Sequence, residues 1–144
     1  MEKILISACL VGENCKYNGG NNLNPKIEAL LEKYDLIPIC PEVEGGLDTP
    51  RNPSEIKGES VFMDNGRDVS ENFLKGAKKA LMLALFLKIK IAVLKERSPS
   101  CGTHQIHDGS FSNKLIDGMG VTAKLLSENG IKVYSEDEID LLLK

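Results

Sequence analysis

The chain contains no tryptophan, and aromatic residues of all kinds make up only 5% of it. That removes the stacking platforms on which single-stranded nucleic acids are bound. Positive charge is not in excess either: 18 Lys and Arg against 21 Asp and Glu leave a net charge of −3. Stable nucleic-acid binding is therefore not expected. No apolar run approaches the ~18 residues that mark a membrane-spanning helix, so no membrane association is expected. Ile4, Leu5 and Ile6, just before Ser7-Ala8-Cys9, form too short a stretch for a signal peptide, whose apolar region needs about seven residues or more. The expected compartment is the cytoplasm, where thiols stay reduced. Cys-x-x-Cys is absent, which disfavours a zinc ribbon, a ferredoxin-type cluster run and a thioredoxin-type redox pair. Neither Gly-x-Gly-x-x-Gly nor a Walker pattern occurs, so Gly19-Gly20 and Gly45-Gly46 are read as turn formers.

What is present is enough to build a core. Hydrophobic residues make up 42% of the 144 residues, which excludes a disordered chain and fits one compact domain spanning 1–144. Apolar runs at 3–7, 36–39, 89–94 and 131–134 are rich in Ile, Val and Leu without clean alternation. This is the signature of parallel strands covered on both faces. Helical patterns fall between them. Asn24 and Pro25 can open a helix carrying Ile27, Leu30, Leu31 and Tyr34. Asp68 and Glu71 have capping-box spacing before a long helix in which Phe73, Leu74, Ala77, Leu81, Ala84 and Leu85 recur. A third helix spans 121–129, and Ser135 with Glu138 forms a second capping box before a C-terminal helix. The fold class is α/β: a single Rossmann-like open sheet of about four or five mainly parallel strands flanked by helices. Segment 45–66 reads as a loop with a small hairpin, and 96–120 as a long cysteine-bearing loop.

The four cysteines carry the functional signal. Cys9 lies just beyond the first expected strand, Cys40 directly after the second and Cys101 a few residues beyond the third. In a parallel sheet these positions converge on the carboxyl edge, where open α/β sheets bind ligands near a reversal of strand order. Soft thiolates favour iron-sulfur clusters or zinc over magnesium or calcium. Three cysteines can hold a 4Fe-4S cluster with one iron left open. Buried structural cysteines and nucleophilic thiol chemistry are the competing readings at this point.

Further residues carry a family resemblance. Ser7-Ala8-Cys9-Leu10-Val11-Gly12 with Cys15-Lys16-Tyr17-Asn18-Gly19-Gly20, Pro38-Ile39-Cys40-Pro41-Glu42, Gly45-Gly46-Leu47 and Ser98-Pro99-Ser100-Cys101-Gly102 are the most telling segments. Pro50-Arg51, Pro53, Glu55, Gly76-Ala77, Asp108-Gly109-Ser110-Phe111 and Gly120-Val121-Thr122-Ala123 extend the match along nearly the whole chain. The sequence resembles a bacterial family, formerly a domain of unknown function, that includes the iron-sulfur-dependent thiouracil desulfidases. The resemblance implies a 4Fe-4S cluster held by Cys9, Cys40 and Cys101, with the sulfur of a small thio-substrate bound at the open iron and removed without redox change. It assigns functional roles to Glu42 and Ser98. Glu42 is suited to general acid/base work and Ser98 to orienting water or substrate. Ser100 and Arg51 are candidate substrate contacts, Arg51 because its guanidinium suits oriented hydrogen bonding. The family usually has Tyr at the position of His107 and Asp at that of Asn18; the first difference bears on which thio-compound is taken.

Several residues have competing readings. Cys15 is expected to be structural, with a fourth cluster ligand as the alternative. His104 and His107 have zinc-compatible spacing but are expected to be solvated or bonded to backbone. Arg51 and Glu55 are expected to pair across the proline-bearing loop, contributing little to stability. The rival functions are a structural or sensing domain that ligates zinc or a cluster through all four cysteines, and a thiol sulfurtransferase forming a persulfide on Cys101. The sequence sets no oligomeric state.

Overall fold

The computed structural model describes residues 1–144. In chain order the elements are β1 (Glu2–Ser7), α1 (Ile27–Lys33), β2 (Tyr34–Ile39), α2 (Pro41–Glu44), β3 (Ser54–Lys57) and β4 (Ser60–Met63). There follow α3 (Ser70–Phe86), β5 (Ile91–Leu94), β6 (Gln105–His107), β7 (Leu115–Asp117), α4 (Val121–Glu128), β8 (Lys132–Ser135) and α5 (Ile139–Leu143). Four strands form the central sheet in the order β2-β1-β5-β8, and every pairing is parallel. The chain passes from β1 to one neighbour, β2, and then crosses to β5 on the other side. Strand order therefore reverses at β1; the parallel sheet was expected from the sequence, its order was not.

Alternation along β1 and β5 explains the unbroken apolar runs. Leu5, Ala92 and Leu94 face a core closed by Ala80 and Ala84 of α3 and by Ala123 and Leu126 of α4. Ile4, Ile6 and Val93 face the opposite core, closed by Ile27 and Leu30 of α1 and by Ile139 and Leu142 of α5. Because both faces are covered, neither set of alternating residues is polar. A third cluster joins Val61 and Met63 of the β3–β4 hairpin to Leu47, Val69 and Phe73.

Three expectations about element ends need correction, and a fourth holds. The helix near Asn24 begins at Ile27, because Asn24 Oδ1 accepts from Lys26 N (2.9 Å) and holds Pro25-Lys26 as a turn. Tyr34 opens β2 rather than closing α1. The Asp68/Glu71 capping box does not form: Val69 precedes the first helical residue, so Glu71 sits one position too early to reach back. The box at Ser135 does form, with Ser135 Oγ accepting from Asp137 N (3.1 Å) and Glu138 Oε1 from Ser135 N (2.9 Å).

The apolar stripe of α3 is also rotated from its expected position. Phe73, Gly76, Ala77, Ala80 and Ala84 face inward, leaving Leu74 and Leu85 exposed. Small residues are buried there because α2 lies against the helix: a Cβ built on Gly76 would fall 1.8 Å from the Pro41 carbonyl oxygen. Segment 96–120 is not a plain loop, since β6 and β7 pair antiparallel within it. The expected hairpin in 45–66 is the β3–β4 pair.

Candidate active site

Beyond the carboxyl ends of β1, β2 and β5 lies a cavity of about 490 Å³. Cys9, Cys15, Cys40 and Cys101 all line it, and none is in a disulfide. Cys9 sits in a 3-10 turn spanning Ala8–Val11 directly after β1. Cys40 follows β2 and precedes Pro41, the first residue of α2. Cys101 closes a turn in which Gly102 N donates to Ser98 O (2.8 Å). That turn rests on the start of α4, where Gly120 permits contact: a Cβ there would meet the Ser100 carbonyl carbon at 2.4 Å. The convergence read from the sequence is thus present in the fold.

Burial and mutual contact set the thiols. Burial pushes Cys101 up to about 12, against a lowering hydrogen bond with Ser7. Burial also raises Cys9, which Asn22 and Lys95 partly oppose. Cys15 and Cys40 share a hydrogen bond that raises Cys15 and lowers Cys40. The Cys40 Sγ also lies 3.8 Å from the Cys15 carbonyl oxygen. No three His, Cys, Asp or Glu side chains are grouped closely enough to hold one metal ion.

Glu42 stands beside Cys40 in the cavity wall. Burial raises its carboxyl above the usual range, and Arg51 opposes this only in part. Arg51 Nε donates to Glu42 Oε1 (3.1 Å), so the expected Arg51–Glu55 pair is replaced by Arg51–Glu42. The remaining guanidinium donors reach Asp48 O (3.1 Å), Thr49 Oγ1 (3.0 Å) and Cys15 O (2.8 Å). Four of the five guanidinium N–H bonds are engaged in this way. Arg51 is therefore a clamp between the Cys15 loop and Glu42, with little left to offer a substrate.

Ser98 Oγ accepts from Ser100 N (3.1 Å) and Cys101 N (3.0 Å). With both lone pairs engaged, its O–H remains as a donor, and Ser98 lines the cavity. Ser100 does not fit its expected role. It is buried, and its hydroxyl is 2.7 Å from Thr122 Oγ1, so it fastens the turn to α4. Neither His104 nor His107 joins a zinc site: exposed His104 Nε2 lies 2.7 Å from Glu138 Oε1, and His107 lines the cavity wall.

Glu96 was not singled out by its sequence context, and Glu55 was read only as a partner for Arg51. Glu96 is buried and accepts from the N–H groups of Arg97 (3.2 Å), Thr103 (3.0 Å), His104 (3.0 Å) and Gln105 (3.2 Å), and from the Thr103 hydroxyl (3.0 Å). Burial works to raise its carboxyl, but these donors outweigh burial and hold it below the usual range. Glu55 accepts from Gly109 N (3.0 Å) and Phe111 N (3.1 Å). Each carboxylate folds a loop of the cavity around itself through backbone N–H groups, whose sequence carries no trace of the contact.

Fold and cavity together define an α/β protein with converging thiols at the carboxyl edge of its sheet, beside a half-buried carboxyl group. Residues 4–138 match the model of the 2-thiouracil desulfurase family, and the chain belongs to that family. It is 41% identical over 150 residues to the uncharacterized protein YbbK of Bacillus subtilis (strain 168), covering 97% of this chain and 99% of that protein. Among solved structures it is similar to the 4Fe-4S-dependent thiouracil desulfidase TudS. That likeness has a TM-score of 0.93 and 43% identity over 99% of this chain and 95% of the other. The α/β fold with its parallel four-stranded sheet, expected from the sequence, is common to both. No helix in the chain is long and apolar enough to cross a membrane.

Proposed function

We propose that this protein hydrolyses the carbon–sulfur bond of thiouracil or a close thiopyrimidine, using a 4Fe-4S cluster held by Cys9, Cys40 and Cys101. The observation that carries the reading is the shared cavity: thiols from three strand ends line it together with a half-buried Glu42. The donor set suits a cluster. A tetrahedral zinc ion about 2.3 Å from each sulfur would draw its ligands to within about 4 Å of one another, whereas cluster thiolates are spread over different irons. The thiols here surround a cavity without forming a single-ion group.

When bound, such a cluster supplies a soft Lewis acid for the thiocarbonyl sulfur and so makes the attached carbon more open to attack by water. The protein's own groups handle the water and its protons. Glu42, held by Arg51 Nε, takes a proton from the attacking water and passes it to a ring nitrogen or the departing sulfur. Its raised affinity for protons makes it a stronger base than an exposed carboxylate. Ser98, fixed as a donor, orients the water or the substrate. Water supplies the oxygen of the new carbonyl and sulfur leaves as sulfide, so no oxidant or reductant is consumed.

Cys15 stays outside the ligand set in this reading, as the hydrogen-bond donor to Cys40. Persulfide chemistry on Cys101 is disfavoured because that residue is only 5% exposed and, in this reading, is committed to the cluster. The four free thiols fit a reducing cytoplasm. The decisive test is anaerobic incubation of iron-loaded protein with 2-thiouracil and 4-thiouracil, measuring sulfide and uracil. Their release in equal amounts is expected, and an iron-loaded sample releasing neither overturns the assignment. Cys15→Ser is expected to keep its iron and Cys40→Ser to lose it; iron loss in the first would favour the four-cysteine site.

A further inference from the structure

The buried side-chain polar atoms without a hydrogen-bond partner are Ser54 Oγ and His107 Nδ1. Buried polar groups are nearly always paired, so each exception calls for a reason. Both residues line the cavity that holds the thiols. They sit on β3 and β6, which pack against each other, and Ser54 is only 8% exposed.

Backbone strain collects in the same wall. Lys88, Arg97, Phe111 and Asn113 are the non-glycine residues with positive φ, and all but Lys88 line the cavity. Phe111, at φ 56°, is the least expected, because bulky side chains rarely adopt that conformation. The Glu55 carboxylate holds it there by accepting its N–H and that of Gly109. The Phe111 side chain nevertheless remains part-exposed at the cavity, not tucked into a core. Strain of this kind persists where the surroundings over-determine it, and it concentrates at ligand clamps.

We propose that Ser54, His107 and Phe111 form the wall that selects the substrate, a flat nitrogen heterocycle with an N–H and a C=O side by side next to its thiocarbonyl. This rests on the desulfidase reading of the cavity and specifies what that site accepts. The Ser54 hydroxyl can donate or accept and so can an imidazole nitrogen, according to its tautomer, so together they complement a donor–acceptor edge. Phe111 offers the flat apolar surface that a ring packs against. A thiopyrimidine satisfies all three; an acyclic thiourea lacks the ring and the carbonyl.

Uracil is the direct probe, because it keeps the ring and edge but lacks the sulfur. Its binding to iron-loaded protein should weaken roughly 10-fold in Ser54→Ala and in His107→Phe, the loss of one buried polar contact each. The KM for 2-thiouracil should rise by a similar factor while kcat and iron content hold. His107→Asn, which keeps a polar atom near the Nδ1 position, should recover most of the affinity. Thermal stability of Ser54→Ala and His107→Phe should be unchanged or higher, because each removes an unpaired buried polar atom. Uracil affinity equal to wild type in both variants, loss of their iron, or wild-type turnover of N-methylated 2-thiouracils as fast as the parent would overturn the proposal. Wild-type protein that binds uracil with these dependences yet releases no sulfide would retain the selecting wall and sink only the desulfidase reading.

Discussion

Glu42, half-buried in the cavity wall, and Glu96, buried, are carboxyls that their partners set to opposite tasks. Glu42 has one guanidinium contact, and burial leaves it prone to hold a proton. Glu96 has four N–H groups and a hydroxyl around it and remains ionised. The first suits proton transfer, the second loop architecture. Glu42→Gln keeps an oxygen for Arg51 but cannot carry the proton. Its turnover of thiouracil should fall roughly 10²–10⁴-fold, the range for general acid–base groups, with iron content unchanged. Glu96→Ala strands the buried Thr103 N–H and three part-buried N–H groups, with about 1–3 kcal/mol lost for a buried one left unpaired. A markedly lower denaturant midpoint together with poor iron retention is the expected result. The sequence pointed to Glu42 through the Cys-Pro-Glu motif of the family it resembles. It could not identify Glu96, because backbone donors look the same whatever residue carries them. Ser100 shows the reverse error: its motif position looked functional, but its hydroxyl is spent on Thr122.

At the level of elements, α3 shows how packing can mislead a periodicity. The larger residues Leu74 and Leu85 have helical spacing, yet the inward stripe uses Gly76, Ala77 and Ala80, because α2 requires close approach. Gly76→Ala would place a methyl group against the Pro41 carbonyl and displace the Cys40-Pro41-Glu42 segment. A stability loss of about 1–3 kcal/mol is expected from such overpacking, with reduced iron content as the second readout. The strands were easier to read, since burial on both faces leaves them uniformly apolar. The β6–β7 hairpin was not read, because it is short and β7 is exposed along its length. One contact ties this hairpin to the C-terminal region: His104 with Glu138, which raises the imidazole above its ordinary value. While Glu138 is ionised, the contribution is fully present below about pH 6.5, the unfolded value. It is lost as pH rises through the raised folded value. Exposure limits it to about 0.5 kcal/mol. Urea midpoints of wild type and His104→Ala should therefore differ most at pH 6 and converge toward pH 8.5.

Across the whole molecule, the order β2-β1-β5-β8 brings the cavity's thiols from three distant parts of the chain to one edge. Cys101 follows β5, which lies between β1 and β8, so its position depends on a strand that is itself completed only by residues 132–135. A chain still emerging from the ribosome therefore has no finished pocket while its last strand is inside the exit tunnel. An inorganic group of the proposed kind would need the folded pocket as its acceptor, because the β1–β5 part of the chain does not complete it alone.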